Sequence, residues 1–308
     1  MFCKRTAEPL PRPMKNFESL KIRASLCLKR HRSAAGAIIQ MRTRIGEATS
    51  CVRVLPDFAI GGAQKAGTTS LYHYLKKHPC IFMPLKQEVH FFDFNYPKGL
   101  SYYRAHFPSI YFKHYALKMY GQLKVGECTP YYMPHPLVPQ RMAARLPGIK
   151  LVFVLRNPVM RTYSHYQHEY QKGREWLSFE NALKAEKKRL SGEAELIQRR
   201  HAYYSYRHHH FSYVNRSKYV EHVKRWLKYF PRKQMFFISS ERLFSKPQEQ
   251  VDRLCEFLEI RRKAIGGAKA HNTRNYPPMN VKTREMLEEY FKPYNQALYD
   301  LIEMDFGW

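Results

Sequence analysis

The stretch Phe58-Ala-Ile-Gly-Gly-Ala-Gln-Lys-Ala-Gly-Thr-Thr-Ser70 contains the pattern that decides the fold of this chain. It begins with an apolar run that ends in glycines, which is typical of a buried strand followed by a tight turn. A helical pattern then opens with hydroxyl residues and extends over Thr68–Lys77. Glycines allow several backbone N–H groups to converge on a phosphate in front of a helix N-terminus. The stretch therefore predicts a strand, a phosphate-binding loop and a helix.

The spacing of this loop mimics that of nucleotide triphosphatases, but two features differ. In those enzymes a lysine directly follows the second glycine, whereas here Thr68 follows Gly67 and the lysine is Lys65. They also hold Mg²⁺ through an aspartate after a later strand, whereas here the apolar run Leu151–Leu155 is followed by Arg156. A cation at that point repels a metal and attracts an anion. We therefore expect a phosphate-bearing nucleotide bound without metal, which disfavours a kinase or an ATPase.

Strand and helix patterns alternate along the rest of the chain. Further short strands are expected at Lys124–Glu127, Leu151–Leu155 and Met235–Ser239. Helical patterns are expected at Leu137–Arg145, Val159–Tyr170, Tyr219–Tyr229, Pro247–Leu258 and Val281–Met304, the last with Phe291, Leu298 and Leu301 facing inward. This alternation predicts an α/β fold with a central parallel β-sheet flanked by helices on both faces.

The composition indicates a globular protein with anionic partners. The chain has 308 residues, 44% of them hydrophobic, and its 53 Lys and Arg against 25 Asp and Glu give a formal net charge of +28. Such an excess attracts nucleic acid, phospholipid, a phosphorylated cofactor or an acidic polysaccharide, and does not choose among them. Six dispersed cysteines argue against a zinc site or a disulfide framework and favour reduced thiols.

The N-terminal region differs from the rest in charge. Residues 1–54 include eleven Lys or Arg between Lys4 and Arg44 and only three Glu. We expect them to form a basic extension, and residues 55–308 to form the folded domain. The segment from Phe17 to Ile45 could form a basic amphipathic helix, either as a solvated extension or as an arm that makes peripheral contact with a membrane or a polyanion.

The sequence also bears on where the chain works. It contains no apolar run long enough to cross a membrane and no pattern of a secretory signal at its start. We expect a cytoplasmic location, with the Golgi lumen as the alternative if an N-terminal anchor has been removed.

Four motifs, in order between Leu55 and Trp308, resemble the sulfotransferase superfamily, in particular its bacterial members and the domains that modify heparan-type glycans. The first is the loop itself, and the second is the segment Lys86-Gln-Glu-Val-His-Phe-Phe-Asp93. The third runs from Leu155 through Ser164, and the fourth comprises Arg274-Asn-Tyr-Pro-Pro-Met279 with the closing Asp305-Phe-Gly-Trp308. The resemblance implies a sulfotransferase with a P-loop-like fold that uses 3′-phosphoadenosine-5′-phosphosulfate (PAPS) without a metal and releases 3′,5′-adenosine bisphosphate.

The resemblance also implies roles for individual residues. Lys65 would contact the phosphosulfate and stabilise the bridging oxygen as the sulfuryl group leaves. Arg156, Ser164 and Arg274 would bind the 3′-phosphate, for which a guanidinium fork is well suited. The 5′-phosphate would be held by the remaining loop residues, Ala66, Gly67, Thr68, Thr69 and Ser70.

Glu88 is the candidate catalytic base, because an acceptor hydroxyl must lose its proton as it attacks sulfur. His90 is the rival, by analogy with small-molecule sulfotransferases. In an extended segment both side chains would point to the same face, so both are expected at the site. Several glycan sulfotransferases have a lysine at the position of Cys128, which we expect to be a buried thiol here. Glu127 is either a substrate contact or a structural carboxylate.

The acceptor is less well defined than the donor. Residues 195–233 are dense in Arg, His and Tyr, which favours stacking on sugars and pairing with acidic groups, so we expect a hydroxyl or amine of a carbohydrate-like acceptor. A lipid or secondary metabolite is the alternative. The consecutive histidines His208–His210 do not have the spacing of a metal site. A nucleic-acid-binding protein and a nucleotide kinase are the competing classes, and the first lacks any helix–turn–helix, zinc-finger or aromatic RNA-binding signature.

Overall fold

A parallel five-stranded sheet lies at the centre of the computed structural model, which describes residues 36–266 and 276–308. Its order is β2-β3-β1-β4-β5, and each neighbouring pair is parallel, with Phe58 opposite both Gly126 and Lys150. The strands are β1 (Phe58–Gly62), β2 (Ile81–Phe82), β3 (Lys124–Cys128), β4 (Lys150–Leu155) and β5 (Met235–Ser239). The predicted parallel sheet is therefore confirmed.

Helices surround this sheet. The first one described, α1, is helical over residues 36–48. Those before β4 are α2 (Thr68–Lys76), α3 (Gly99–Arg104), α4 (Ile110–Tyr120) and α5 (Val138–Arg145). Between β4 and β5 lie α6 (Pro158–Gln171), α7 (Phe179–Leu190), α8 (Glu193–Arg199), α9 (Tyr206–His210) and α10 (Tyr219–Leu227). The last three are α11 (Ser240–Ser245), α12 (Pro247–Phe257) and α13 (Val281–Ile302).

The two central strands, β1 and β4, are almost entirely apolar because both faces of the sheet are covered. In β1, Phe58 to Ile60 are completely buried, and so is the whole of Leu151–Leu155 in β4. On α13, Phe291 and Leu298 are buried as predicted, whereas Leu301 is only partly buried. These two strands form the centre of the core. Because they are parallel, their carboxyl ends lie at the same edge of the sheet.

The loop that follows β1 lies at the carboxyl end of the central strand of the sheet. After β1 the chain forms β2 and β3 on one side of β1, and it then forms β4 and β5 on the other side. Strand β1 therefore lies at a topological switch point. In open α/β sheets ligands bind at this point, outside the carboxyl ends of the strands. The loop after β1 therefore meets the residues that follow β3 and β4.

Part of the sequence-based expectations lies outside the described residues. This applies to residues 1–35 of the predicted basic extension and to Arg274 of the expected 3′-phosphate site. Of the helix predicted over residues 17–45, the described part, from residue 36, is helical. Among the described helices, none is both long and apolar enough to cross a membrane.

Candidate active site

The loop between β1 and α2 has the backbone of an anion-binding turn. Lys65 and Gly67 both have left-handed backbone angles, with φ of 71° and 101°, and Gly67 immediately precedes α2. A Cβ at Gly67 would lie 2.9 Å from the Phe244 ring, so glycine is required there for space as well as for conformation. Among the described residues no side chain caps α2, and its first turn contains no acid. Its N-terminal N–H groups, at Thr68 to Ser70, are therefore oriented to receive an anion.

Arg156 is held against this loop. It directly follows β4, and its Nη1 donates a hydrogen bond to the Lys65 carbonyl at 3.2 Å. Its own carbonyl accepts from the Tyr219 hydroxyl at 2.9 Å. Ser164 is buried on α6, the helix that follows Arg156 in the chain. The structure thus brings Arg156 to the loop, while the 3′-phosphate role of Arg156 and Ser164 stays a prediction.

A second arginine, Arg216, was not singled out from the sequence and also contacts the loop. Its side chain is buried, and Nη1 donates to the Gln64 side-chain oxygen at 2.6 Å. Nη2 donates to the carbonyls of His208 and His209 at 2.8 and 2.6 Å. All of these acceptors are neutral, so the charge of Arg216 is not balanced by the groups to which it is bonded.

Arg161, on α6, repeats this arrangement at greater depth. It is completely buried and donates to the Ser217 hydroxyl at 2.6 Å and to the Tyr213 carbonyl. Burial, with Arg216 and Arg156 nearby, lowers the pKa of Arg161 to about 10, so it is still a cation at neutral pH. Within residues 36–266 and 276–308, neither Arg161 nor Arg216 forms a salt bridge. Glu186 lies near Arg161, and both Glu169 and Glu186 lie near Arg216, but burial outweighs their charges and keeps the pKa of both arginines lowered. Because burying a charge is costly, this region is suited to binding an anion.

Three acid–base side chains meet beside the loop. The Nε2 atom of His90 lies 3.0 Å from a Glu88 carboxylate oxygen, and its Nδ1 atom lies 2.6 Å from an oxygen of Asp93. Asp93 is buried, whereas about half of the Glu88 side chain is exposed. The expectation that Glu88 and His90 share one face agrees with this contact, and Asp93 is an addition that the sequence analysis did not assign.

The two carboxylates determine the protonation of His90. Burial alone would lower its pKa, but the hydrogen bonds and charges of Asp93 and Glu88 outweigh burial and raise the pKa of His90 to about 9. At neutral pH the ring is therefore an imidazolium, and both nitrogens donate to carboxylates. Neither nitrogen has a lone pair with which to accept a further proton.

The segment 86–93 is joined to the loop by a side-chain hydrogen bond. The Gln87 amide nitrogen donates to the Thr69 hydroxyl at 3.1 Å, and Gln87 directly precedes Glu88. A left-handed backbone at His90, with φ of 55°, then turns the chain. In this way the structure brings the predicted base and the predicted phosphate loop to the same edge of the sheet.

Glu127, on β3, is linked to the segment 86–93 by hydrogen bonds through Tyr132. It is completely buried and accepts hydrogen bonds from the hydroxyls of Tyr103 and Tyr132 at 2.9 and 3.4 Å. The Tyr132 oxygen in turn accepts from the backbone N–H of Phe91 at 3.0 Å. Burial raises the pKa of Glu127 to about 8. Of the two roles considered from the sequence, its surroundings favour the structural one.

The remaining polar residues near the site are held by protein partners. Cys128 is completely buried, and burial raises the pKa of its thiol well above the ordinary value. Each of the three histidines of α9 has a protein partner: His208 contacts the Tyr131 hydroxyl, and His209 and His210 both contact the Tyr204 hydroxyl. No group of three metal-ligating side chains is found in the part of the chain that the structure describes.

Comparison with known proteins gives the class. Residues 55–293 match the family profile of the sulfotransferase domain, and the chain belongs to this family. A solved sulfotransferase from Alicyclobacillus acidocaldarius is 30% identical and aligns with a TM-score of 0.63, over 82% of this chain and 97% of that one. The P-loop-like α/β fold predicted from the sequence is therefore confirmed.

Curated relatives point in the same direction. Heparan sulfate glucosamine 3-O-sulfotransferase 3B1 of Homo sapiens is 30% identical, over 82% of this chain and 65% of the relative. Membrane-associated sulfotransferase kil1 of Dictyostelium discoideum is 28% identical, over 82% of this chain and 66% of the relative. The chain thus spans slightly less than two thirds of the length of these relatives.

Proposed function

We propose that this chain transfers a sulfuryl group from PAPS to a hydroxyl, or an amine, of a carbohydrate-like acceptor. The observation that carries the proposal is the contact between Gln87 and Thr69, which sets the Glu88–His90–Asp93 cluster beside a phosphate-type loop. Membership of the sulfotransferase domain family supports the reaction type.

The residues around the loop fit a donor with several negative charges. The N-terminus of α2 and Lys65 would hold the 5′-phosphosulfate, while Arg156 and Ser164 would hold the 3′-phosphate. The buried cations Arg161 and Arg216 support this assignment, because an anionic nucleotide would add to the counter-charge that Glu169 and Glu186 supply. No metal is needed to neutralise phosphates in a site with this many cations.

The chemistry assigned to the residues is one in-line displacement at sulfur. Glu88 accepts the proton of the acceptor hydroxyl as the hydroxyl oxygen bonds to sulfur. The bond between sulfur and the bridging phosphate oxygen breaks, and its electron pair stays on that oxygen. Lys65 stabilises the charge that develops there. The products are the sulfated acceptor and 3′,5′-adenosine bisphosphate, with the proton on Glu88.

Between the two candidate bases we assign Glu88. His90 is an imidazolium at neutral pH and has both nitrogens engaged by carboxylates, so it has no site for the incoming proton. Glu88 is half-exposed and is therefore open to an acceptor. His90 is a positioning residue, oriented on its other side by Asp93.

The acceptor is proposed to be an anionic glycan that contains glucosamine, the sugar for which relatives such as the human 3-O-sulfotransferase 3B1 are named. Helix α9 and the residues before it would contact this glycan. The His209 ring lies 6.2 Å from the His90 ring, Tyr204 is exposed, and Arg207 is 60% exposed. Aromatic rings close to His90 suit stacking on a sugar, and an exposed arginine on the same helix suits pairing with an acidic group. We expect no role for nucleic acid.

We further propose that residues 55–308 form the catalytic domain behind a basic extension of residues 1–54. A cytoplasmic location is proposed, with the Golgi lumen as the alternative. The four cysteines that the structure describes are all free, as a reducing compartment favours.

Calorimetric titration tests the donor assignment. The protein is titrated with 3′,5′-adenosine bisphosphate, 5′-AMP and Mg-ATP, in buffers with chelator and with Mg²⁺. We expect the bisphosphate to bind most tightly, with an affinity that does not depend on Mg²⁺. A preference for Mg-ATP, or no binding of the bisphosphate, would overturn the proposed function and reopen the kinase and polyanion-binding alternatives.

A further inference from the structure

Helix α4 exposes an unusual amount of apolar surface. Seven of its eleven residues are exposed large hydrophobic or aromatic side chains, and Ala116 is its only buried residue. An exposed apolar patch of this kind marks an interaction site rather than ordinary surface. The seven residues are Ile110, Tyr111, Phe112, Tyr115, Leu117, Met119 and Tyr120.

The most exposed of these side chains form one stripe. Tyr111, Tyr115 and Met119 are 69%, 59% and 58% exposed, and their spacing of four residues places them above one another on the same face of the helix. Lys118 lies beside the stripe and is also exposed. Tyrosines next to a lysine are typical of surfaces that lie at the boundary between lipid and water.

The formally charged residues of the segment that contains this stripe are all basic. From residue 94 to residue 126 the chain contains no Asp or Glu, while it contains Lys98, Arg104, Lys113, Lys118 and Lys124. Two of these lysines have a carboxylate partner: Lys113 lies 3.5 Å from Asp57, and Lys124 lies 3.8 Å from Glu259. The surface therefore combines apolar side chains with a net positive charge.

Helix α1 repeats the same combination next to α4. Ile38, Met41 and Ile45 are 59%, 65% and 51% exposed and recur with helical spacing. Exposed arginines, at positions 42 and 44, lie between and beside them. Gly46 packs so closely on Ala105, five residues before α4, that a Cβ would lie 2.4 Å from the Ala105 carbonyl oxygen.

We propose that α4, together with α1, docks on the surface of a membrane that contains anionic phospholipid. The apolar stripe would enter the boundary between headgroups and acyl chains, and the lysines and arginines would pair with the lipid phosphates. A second copy of the chain is a poorer occupant, because a symmetric interface would bring this basic surface against itself. The inference does not depend on the proposed function.

Vesicle co-sedimentation of the full chain tests this inference. The vesicles contain phosphatidylcholine alone or with phosphatidylserine, and the variant Tyr111→Ser/Tyr115→Ser/Met119→Ser is compared with the unaltered protein. The matched control is Tyr170→Ser/Tyr229→Ser/Met286→Ser, which removes two tyrosines and one methionine that are 52%, 43% and 55% exposed elsewhere. Thermal unfolding checks that both variants are folded.

We expect the unaltered protein and the control to bind the phosphatidylserine vesicles and the α4 variant to bind about ten-fold more weakly. Higher salt should weaken the binding of all three. Equal binding by the α4 variant would overturn the proposal, because the basic N-terminal residues would then account for the binding. Failure of the unaltered protein to bind, with a dimer that the α4 variant abolishes, would assign the surface to a second copy instead.

Discussion

At the scale of single residues, the contacts of His90 decide how the cluster at the site works. Its two nitrogens lie 3.0 Å from Glu88 and 2.6 Å from Asp93, and these carboxylates keep the ring protonated. A protonated ring cannot act as a base, but it does fix the direction of the Glu88 carboxylate. In the proposed mechanism, His90 therefore orients Glu88, the residue proposed to accept the proton.

The replacement Asp93→Asn tests this reading through pH. His90 has a pKa raised to about 9 from its ordinary 6.5, so its cation is present below that pH and is lost as the pH rises through 9. We expect the kcat of the unaltered protein to fall as the pH rises through about 9, which gives its pH profile an alkaline limb. In Asp93→Asn the limb should move to lower pH, because one of the two stabilising charges is gone.

The measurement is the pH profile of kcat, with Asp300→Asn, an exposed aspartate on α13, as the control that leaves the limb in place. An NMR titration of the His90 ring follows the same ionisation directly. An alkaline limb at the same pH in both variants would show that Asp93 does not set the protonation of His90.

Lys65 gives a second prediction at this scale. If it stabilises the leaving oxygen, Lys65→Ala should lower kcat about 10²- to 10³-fold, the range seen when one group that stabilises a transition state is removed. The affinity for 3′,5′-adenosine bisphosphate should fall by a smaller factor, because the helix N-terminus and Arg156 still bind it. The control is the exposed Lys233→Ala. Unchanged turnover would exclude this role for Lys65.

At the scale of the elements, the sequence predicts most of the sheet. The patterns for β1, β3, β4 and β5 agree with the structure to within one residue, because buried parallel strands are continuous apolar runs between helices. Strand β2 was missed because Ile81–Phe82 is too short to show a period. Several short helices, among them α3 and α9, were missed for the same reason.

The site is harder to predict than the sheet. The loop and the segment around Glu88 were found because each is a contiguous motif. Arg216 was not assigned to the loop, because it lies 152 positions from Gln64 in the chain and only the fold brings them together. The role of Asp93 depends on the left-handed backbone of His90. A non-glycine residue adopts this conformation infrequently, and the sequence around His90 does not predict it.

The junction of β4 and α6 yields a prediction about the nucleotide. If Arg156 binds the 3′-phosphate, Arg156→Ala should lower the affinity for 3′,5′-adenosine bisphosphate about ten-fold or more, since a hydrogen bond between charged groups is lost. Its affinity for 5′-AMP should change little. Calorimetry on both ligands measures the ratio, with Arg145→Ala, exposed at the end of α5, as the control. An equal loss for both nucleotides would show that Arg156 does not distinguish them.

Strand β3 yields a prediction about stability. The folded-state pKa of Glu127 is raised to about 8 from 4.5 by burial, so the folded state holds a proton that the unfolded state releases. The contribution of Glu127 to stability is therefore complete below about pH 4.5 and declines as the pH rises towards 8. Glu127→Gln stays neutral and should gain stability relative to the unaltered protein over this interval.

Thermal unfolding of both proteins at several pH values measures this difference. Glu249→Gln, on the exposed surface of α12, is the control and should show no such trend. A difference in Tm that does not grow between pH 5 and pH 8 would mean that Glu127 is ionised in the folded protein.

At the scale of the whole molecule, the charge of +28 is distributed over surfaces with different tasks. The buried cation Arg216 contacts the loop of the proposed donor site, while the residues around α9 are proposed to contact the acceptor. The exposed Lys118 of α4 belongs to the proposed membrane surface. The proposed partners are an anionic nucleotide, an anionic glycan and an anionic lipid surface, and each would be attracted by part of this positive charge.

The most direct test of sulfuryl transfer is a turnover measurement by mass spectrometry. Purified protein is incubated with PAPS and a heparan-type oligosaccharide, without metal, and sulfated product and 3′,5′-adenosine bisphosphate are counted together. We predict one nucleotide released per sulfate group gained, and a rate about 10²- to 10⁴-fold lower in Glu88→Gln, the loss expected when a general base is removed. Nucleotide release without a sulfated product, or an unchanged rate in Glu88→Gln, would contradict the account.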